Sequence, residues 1–183
     1  MESRIMISGF GGQGIVLAGT LLGEACSNRD LNVTYMPEYG PETRGGFAAC
    51  GVTIADTPIG SPVIDNPDIC IAMDAKSVIK YENEVVPGGI LVWNSSIIDD
   101  APTRSDISIY SLPFNDIAQE LGNPKALNMP ILSVLMSLTN AYDLNDVKSA
   151  LEKKFGAKKN GEAIIASNMA VVEKGLEMFK ESK

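Results

Sequence analysis

The sequence predicts an α/β domain: a mostly parallel sheet flanked by helices and followed by a helical C-terminus. Three observations lead there. Short apolar runs alternate with segments of helical periodicity. A glycine cluster joins the first run to the first helix, as at the opening of a Rossmann-like, doubly wound domain. Beyond about residue 115 only helical patterning remains.

Residues 4–8 (RIMIS) form a short apolar run, the mark of a strand buried on both faces. The glycine cluster 9–14 follows. Ile15, Ala18, Leu22 and Ala25 then recur at spacings of three and four, so a helix spans 15–26. Asn28, Arg29 and Asp30 end it, and 32–36 (NVTYM) is the second strand. Residues 37–46 contain two prolines and three glycines and read as a shaped loop. Phe47–Ala55 is a third strand, rich in small residues, and 57–67 is again loop. A buried strand over 69–73 ends at Asp74, and Ala75–Tyr81 suits a short helix. Pro87, Gly88 and Gly89 turn the chain into a strand over 90–93. Polar residues 94–104 lead to a strand over 107–112, closed by Pro113. Helices are expected over 115–121, 130–142, 146–155 and 161–180, with Pro124 and Pro130 as separators and Gly156 at a helix C-terminus.

The chain has 183 residues, 45% of them apolar, which predicts a single domain over 1–183 with a full core. Its net charge of −8 disfavours nucleic acid and anionic membrane as partners, since both call for a basic face. Histidine is absent, which excludes a Ser–His–Asp triad, a Cys–His dyad and imidazole metal ligation. Cys26, Cys50 and Cys70 are widely spaced, so this chain holds no four-cysteine cluster; free thiols in a reducing cytoplasm are expected. The N-terminus has no leader pattern, and no apolar run approaches the roughly 18 residues of a membrane span.

Gly9-Phe10-Gly11-Gly12-Gln13-Gly14 fits GxGxxG in the expected place, after a strand and before a helix. Glycines there let a ligand approach the backbone, and free N–H groups at a helix start favour an anion. The same pattern also serves as a tight turn with no ligand. NAD(P) or FAD binding is one reading, but the second strand ends Tyr35-Met36-Pro37, where a dinucleotide site wants an acid; Glu38 comes later. Gln13, bulky and polar, is a candidate hydrogen-bonding contact.

Tyr39-Gly40-Pro41-Glu42-Thr43-Arg44-Gly45-Gly46 is the more unusual segment. Arg44 beside the N–H groups of Gly45 and Gly46 suits a phosphate or a partner's carboxylate. Equally, Arg44 can pair with Glu42 or Glu38 to stiffen the loop. Asp74 has helix capping or acid–base work open to it, with capping preferred. Asn94, Ser95 and Ser96 suit a turn or a ligand contact. The cysteines lie in apolar contexts and read as inert core. Ile165, Met169, Val172, Leu176 and Phe179 form the core-facing stripe of the last helix.

The glycine cluster, the Tyr39–Gly46 segment and the stretch Pro87-Gly88-Gly89 to Asn94-Ser95-Ser96 together resemble the gamma subunit of 2-oxoacid:ferredoxin oxidoreductases, most closely the 2-oxoglutarate type. The resemblance extends to about Leu135. It implies a subunit of a heteromeric, cytoplasmic complex that oxidatively decarboxylates a 2-oxoacid on thiamine diphosphate. The acyl group passes to coenzyme A, and electrons pass through iron–sulfur clusters to ferredoxin. Thiamine-binding and ferredoxin-like chains are the implied partners. This chain is then itself non-catalytic and binds no cofactor alone. It supports assembly and coenzyme A access, with Gly9, Gly11, Gly12, Gln13, Gly14, Arg44, Gly45 and Gly46 as the candidate phosphate-binding residues.

Overall fold

A computed structural model describes residues 1–41 and 45–182. Six strands, β1 (Glu2–Phe10), β2 (Asn32–Tyr39), β3 (Phe47–Ala55), β4 (Ile69–Ala72), β5 (Ile90–Asn94) and β6 (Ser108–Leu112), form one sheet in the order β2-β3-β1-β4-β5-β6. Pairs β1–β4, β4–β5 and β5–β6 are parallel, whereas β3 runs antiparallel to both β1 and β2. Five strands therefore share one direction, and β3 alone opposes them.

The expected opening of strand, glycine loop, helix and strand is present in order, but its two strands are not neighbours. The apolar, small-residue β3 slots between them. Because β2 and β3 are joined by a short connection, an antiparallel hairpin is available to them, and parallel neighbours would need a crossover. β3 is buried almost throughout and takes the interior position, which leaves β2 as the edge.

β2 also runs three residues further than its pattern predicts. Pro37, Glu38 and Tyr39, expected in the loop, pair with Cys50, Ala49 and Ala48. An edge strand tolerates proline because half of its N–H groups have no ladder partner.

Helices α1 (Ile15–Ser27), α2 (Ala75–Tyr81), α3 (Phe114–Glu120), α4 (Met129–Thr139), α5 (Leu144–Phe155) and α6 (Gly161–Glu181) complete the fold, with a 3-10 turn at Pro124–Ala126. One face of the sheet carries the larger core, where Ile5, Ile7, Val52, Ile54 and Ile71 meet α1 and the C-terminal helices. The other face carries Met6, Ala49, Cys70, Ala72 and Leu91 against Val78 and Tyr81 of α2. α4 is buried on nearly every side. Gly175 of α6 lies so close to it that a Cβ would fall 2.8 Å from Pro130 Cβ. The stripe on α6 is core: Ile165, Val172 and Phe179 are buried, with Met169 and Leu176 packed beside them.

Helix ends follow their local chemistry. Asp143 caps α5, accepting from the N–H groups of Asn145 and Asp146, and the Asp146 carboxylate accepts from Asp143 N–H in return. Asn140 ends α4 at φ 53° in the left-handed region. Gly156 follows α5 in a right-handed conformation, φ −58°, so its freedom to adopt a left-handed cap goes unused.

Candidate functional site

The sheet pairing brings three loops to one edge. Phe10 ends β1 opposite Phe47, Tyr39 ends β2 opposite Ala48, and Ala72 ends β4 beside Ser8. The glycine loop, the β2–β3 connection and the start of α2 therefore converge at the carboxyl end of the parallel strands, where α/β folds gather ligands. Backbone bonds join them: Gly11 N–H donates to Gly46 C=O (2.7 Å) and Gly40 N–H to Phe47 C=O (2.8 Å). Between the loops lies a cleft of about 550 Å³, lined by Phe10, Gly45, Gly46, Phe47, Asp74 and Lys76.

Gly9, Gly12 and Gly14 of the motif answer different local demands. A Cβ on Gly9 would sit 2.2 Å from Gln13 Oε1, so Gly9 makes room for that side chain. A Cβ on Gly14 would lie 2.7 Å from the Asn128 carboxamide, and Gly14 adopts φ +73° as it caps α1. Gly12 (φ +109°) and Gly45 (φ +65°) differ. Both are exposed, both need positive φ, and neither has an atom within 4 Å of its Cβ position. These two are set by backbone conformation and not by crowding.

Gln13 is turned inward. Its side chain is 3% exposed, and its carboxamide is engaged at both ends within the chain. Asp74 caps α2, accepting from Ser77 N–H at 2.8 Å. Lys76, two residues on, is exposed at the rim of the cleft, at the ligand-facing edge where its position after the fourth strand puts it. Asn94 is fully buried and donates to Asn115 Oδ1 (2.9 Å), while its Oδ1 accepts from Ser96 N–H (3.2 Å), so this stretch forms a turn that links to α3. Arg44, with Glu42 and Thr43, lies outside the described residues.

The thiols are far from reactive. Burial pushes Cys26 and Cys50 up to about 12 and raises Cys70 as well, so all three stay protonated near neutrality. Among the described residues no group of three or more His, Cys, Asp or Glu gathers around a point. No helix among them is long and apolar enough to cross a membrane.

The dinucleotide reading does not fit this arrangement. In such sites the acid at the tip of the second strand faces a ribose held beside the first. Here β3 separates the two strands, and Glu38 stands in β2 opposite Ala49 rather than next to the glycine loop.

Fold and site define an α/β domain with three loops converging on a cleft at the carboxyl edge of its sheet. The sequence profile of the Pyruvate ferredoxin/flavodoxin oxidoreductase family matches residues 4–178, and the chain belongs to that family. It is 33% identical to the 2-oxoglutarate synthase subunit KorC of Methanocaldococcus jannaschii, covering 99% of this chain and 96% of that one. It is 32% identical to the ketoisovalerate oxidoreductase subunit VorA of Methanothermobacter thermautotrophicus over 99% of this chain, but spans only 37% of that relative's length. Among solved structures, the 2-oxoglutarate:ferredoxin oxidoreductase from Magnetococcus marinus, with 2-oxoglutarate, coenzyme A and succinyl-CoA bound, superposes with a TM-score of 0.89 at 25% identity. It covers all of this chain and 32% of that one.

Proposed function

We propose that this chain is the gamma subunit of a 2-oxoacid:ferredoxin oxidoreductase, the 2-oxoglutarate type being the closest fit. The observation that carries the reading is the end-to-end match to a subunit of the same length, KorC, alongside VorA and the Magnetococcus enzyme, in which the equivalent domain is one part of a longer chain. The complex decarboxylates a 2-oxoacid with thiamine diphosphate and iron–sulfur clusters carried by companion chains, passes the acyl group to coenzyme A and reduces ferredoxin. Residues 1–183 act as one domain docked on those companions in the cytoplasm.

This chain's part is binding and shaping. Gly12 and Gly45 offer backbone where a phosphate of coenzyme A can approach, Lys76 brings positive charge to that rim, and the sequence neighbour of Gly45, Arg44, is assigned a phosphate contact in the same proposal. Gly9, Gly11, Gln13, Gly14 and Gly46 hold the loops in register. Thiamine and cluster chemistry belong to the companions.

The test has two arms. A tagged chain purified from its native cells brings down larger thiamine- and cluster-binding chains, and only the assembly reduces dye with a 2-oxoacid and coenzyme A. Robust turnover by the isolated chain overturns the reading. In the assembly, Arg44→Ala combined with Lys76→Ala weakens coenzyme A binding by about tenfold or more, since each removes a charge-assisted contact. Unchanged calorimetric affinity removes the site.

A further inference from the structure

We infer that Gln13 is the positioning residue of this loop cluster, a buried strap that fixes the shape of the glycine loop rather than a group that meets the ligand. The inference rests on the coenzyme A reading above and assigns a specific role within it. The Gln13 Oε1 accepts from Phe10 N–H at 2.9 Å, and its Nε2 donates to Met73 C=O at 2.9 Å. One carboxamide thus ties the end of β1 to the end of β4. Asn94, fully buried, reaches toward the same Met73 carbonyl (3.5 Å) and donates to Asn115, which extends the connection to β5 and α3. Met73 N–H donates in turn to Ser8 C=O (2.8 Å), and beneath them the Ser8 and Ser77 hydroxyls are 2.8 Å apart, both buried.

The direction of these bonds is what shapes the loop. Phe10 N–H is drawn inward by the side chain of Gln13, while Phe10 C=O accepts from Gln13 N–H at 3.2 Å. The turn is therefore closed by Gln13 twice, through backbone and side chain. Gly11 N–H is held by Gly46. Gly12 is left at the apex, the motif residue whose backbone faces open space. A purely apolar side chain of the same size would fill the volume but make neither bond. Gly9 is matched to the strap, because any Cβ there would displace the Gln13 oxygen.

The assembled complex, co-expressed with its companions, tests this with Gln13→Met and Gly9→Ala. Both variants should raise the KM for coenzyme A by about fivefold or more while kcat stays within twofold, and speed amide exchange over residues 10–14 by about tenfold. In the wild-type complex the Phe10 amide should exchange slowly although the residue is 38% exposed. Rapid exchange there overturns the strap even if neither variant assembles. Variants with wild-type KM and exchange do the same. A lower Tm with wild-type exchange over residues 10–14 would reveal a stabilising role alone and also defeat the inference. The two proposals separate cleanly: if Arg44→Ala with Lys76→Ala leaves affinity intact while Gln13→Met loosens the loop, the coenzyme reading fails and the strap stands.

Discussion

At Gly14 the backbone holds φ +73°, and the space for a Cβ is already filled by the Asn128 carboxamide, which donates to Gly14 C=O at 3.1 Å. Two independent costs fall on any side chain placed there. The left-handed conformation costs an L-residue about 1–2 kcal/mol. Displacing Asn128, which is buried, breaks its bond to the loop. Gly14→Ala should therefore destabilise the chain by about 2–3 kcal/mol in chemical denaturation. A loss under about 0.5 kcal/mol would mean that the loop relaxes freely around the new methyl, against the packing described. The motif spacing in the sequence correctly located this loop. Its residues could not reveal that Gly9 and Gly14 are glycines because of Gln13 and Asn128. Asn128 is more than a hundred residues away in the chain, and nothing local announces it.

Element by element, the strands and helices were legible because their apolar periodicities are local, and β3, α2 and the start of α1 fall where the pattern puts them. The ends were less so. β2 continues through Pro37, since the edge position that tolerates proline is a property of the sheet and not of the segment. The order of strands was not legible at all, because periodicity tells which face is buried but not which neighbour covers the edge. One long-range contact joins two neighbours in that order at the opposite end of the sheet. The Asp68 carboxylate, just before β4, accepts from Arg4 N–H (2.8 Å) and pairs with the Arg4 guanidinium through both oxygens (2.7 and 3.1 Å), clamping β4 beside β1. Burial pushes the Asp68 pKa up, but the bonds from the Arg4 side chain and backbone, with its charge, outweigh this and hold it below the ordinary carboxylate range. A depressed folded-state pKa stabilises the fold above the unfolded value, near 4, and that contribution disappears as pH falls through the folded one. Asp68→Asn should accordingly lower Tm at pH 7 and converge on wild type as pH falls through the depressed folded-state pKa. A Tm gap that persists unchanged into acid would show that the clamp acts by packing rather than by charge.

For the molecule as a whole, the sharpest consequence of this topology concerns what the glycine loop does not hold. GxGxxG after a strand and before a helix is half of a dinucleotide site; the other half is an acid at the tip of the adjacent parallel strand, positioned for the ribose. In this sheet β3 occupies that adjacent position and runs the opposite way, so its first residue, not its last, lies at the ligand edge. The residues it presents there are Phe47 and Ala48, preceded by Gly45 and Gly46, and none of the four is acidic. Glu38 is displaced to the next strand out. The Gly11 N–H, which a pyrophosphate would need nearby, is bound to Gly46 C=O, so the hairpin lies across the loop where the second half of a dinucleotide would extend. A phosphate at the exposed apex meets none of these obstacles. Titration of the purified chain with NAD(H), NADP(H) and FAD at micromolar levels should thus show no saturable change in fluorescence or heat. Coenzyme A binding in the assembled complex should survive a large excess of any of the three. Saturable dinucleotide binding that competes with coenzyme A would mean that the hairpin moves aside, and the ligand edge would have to be rebuilt with β1, not the β1–Gly46 junction, as its fixed point.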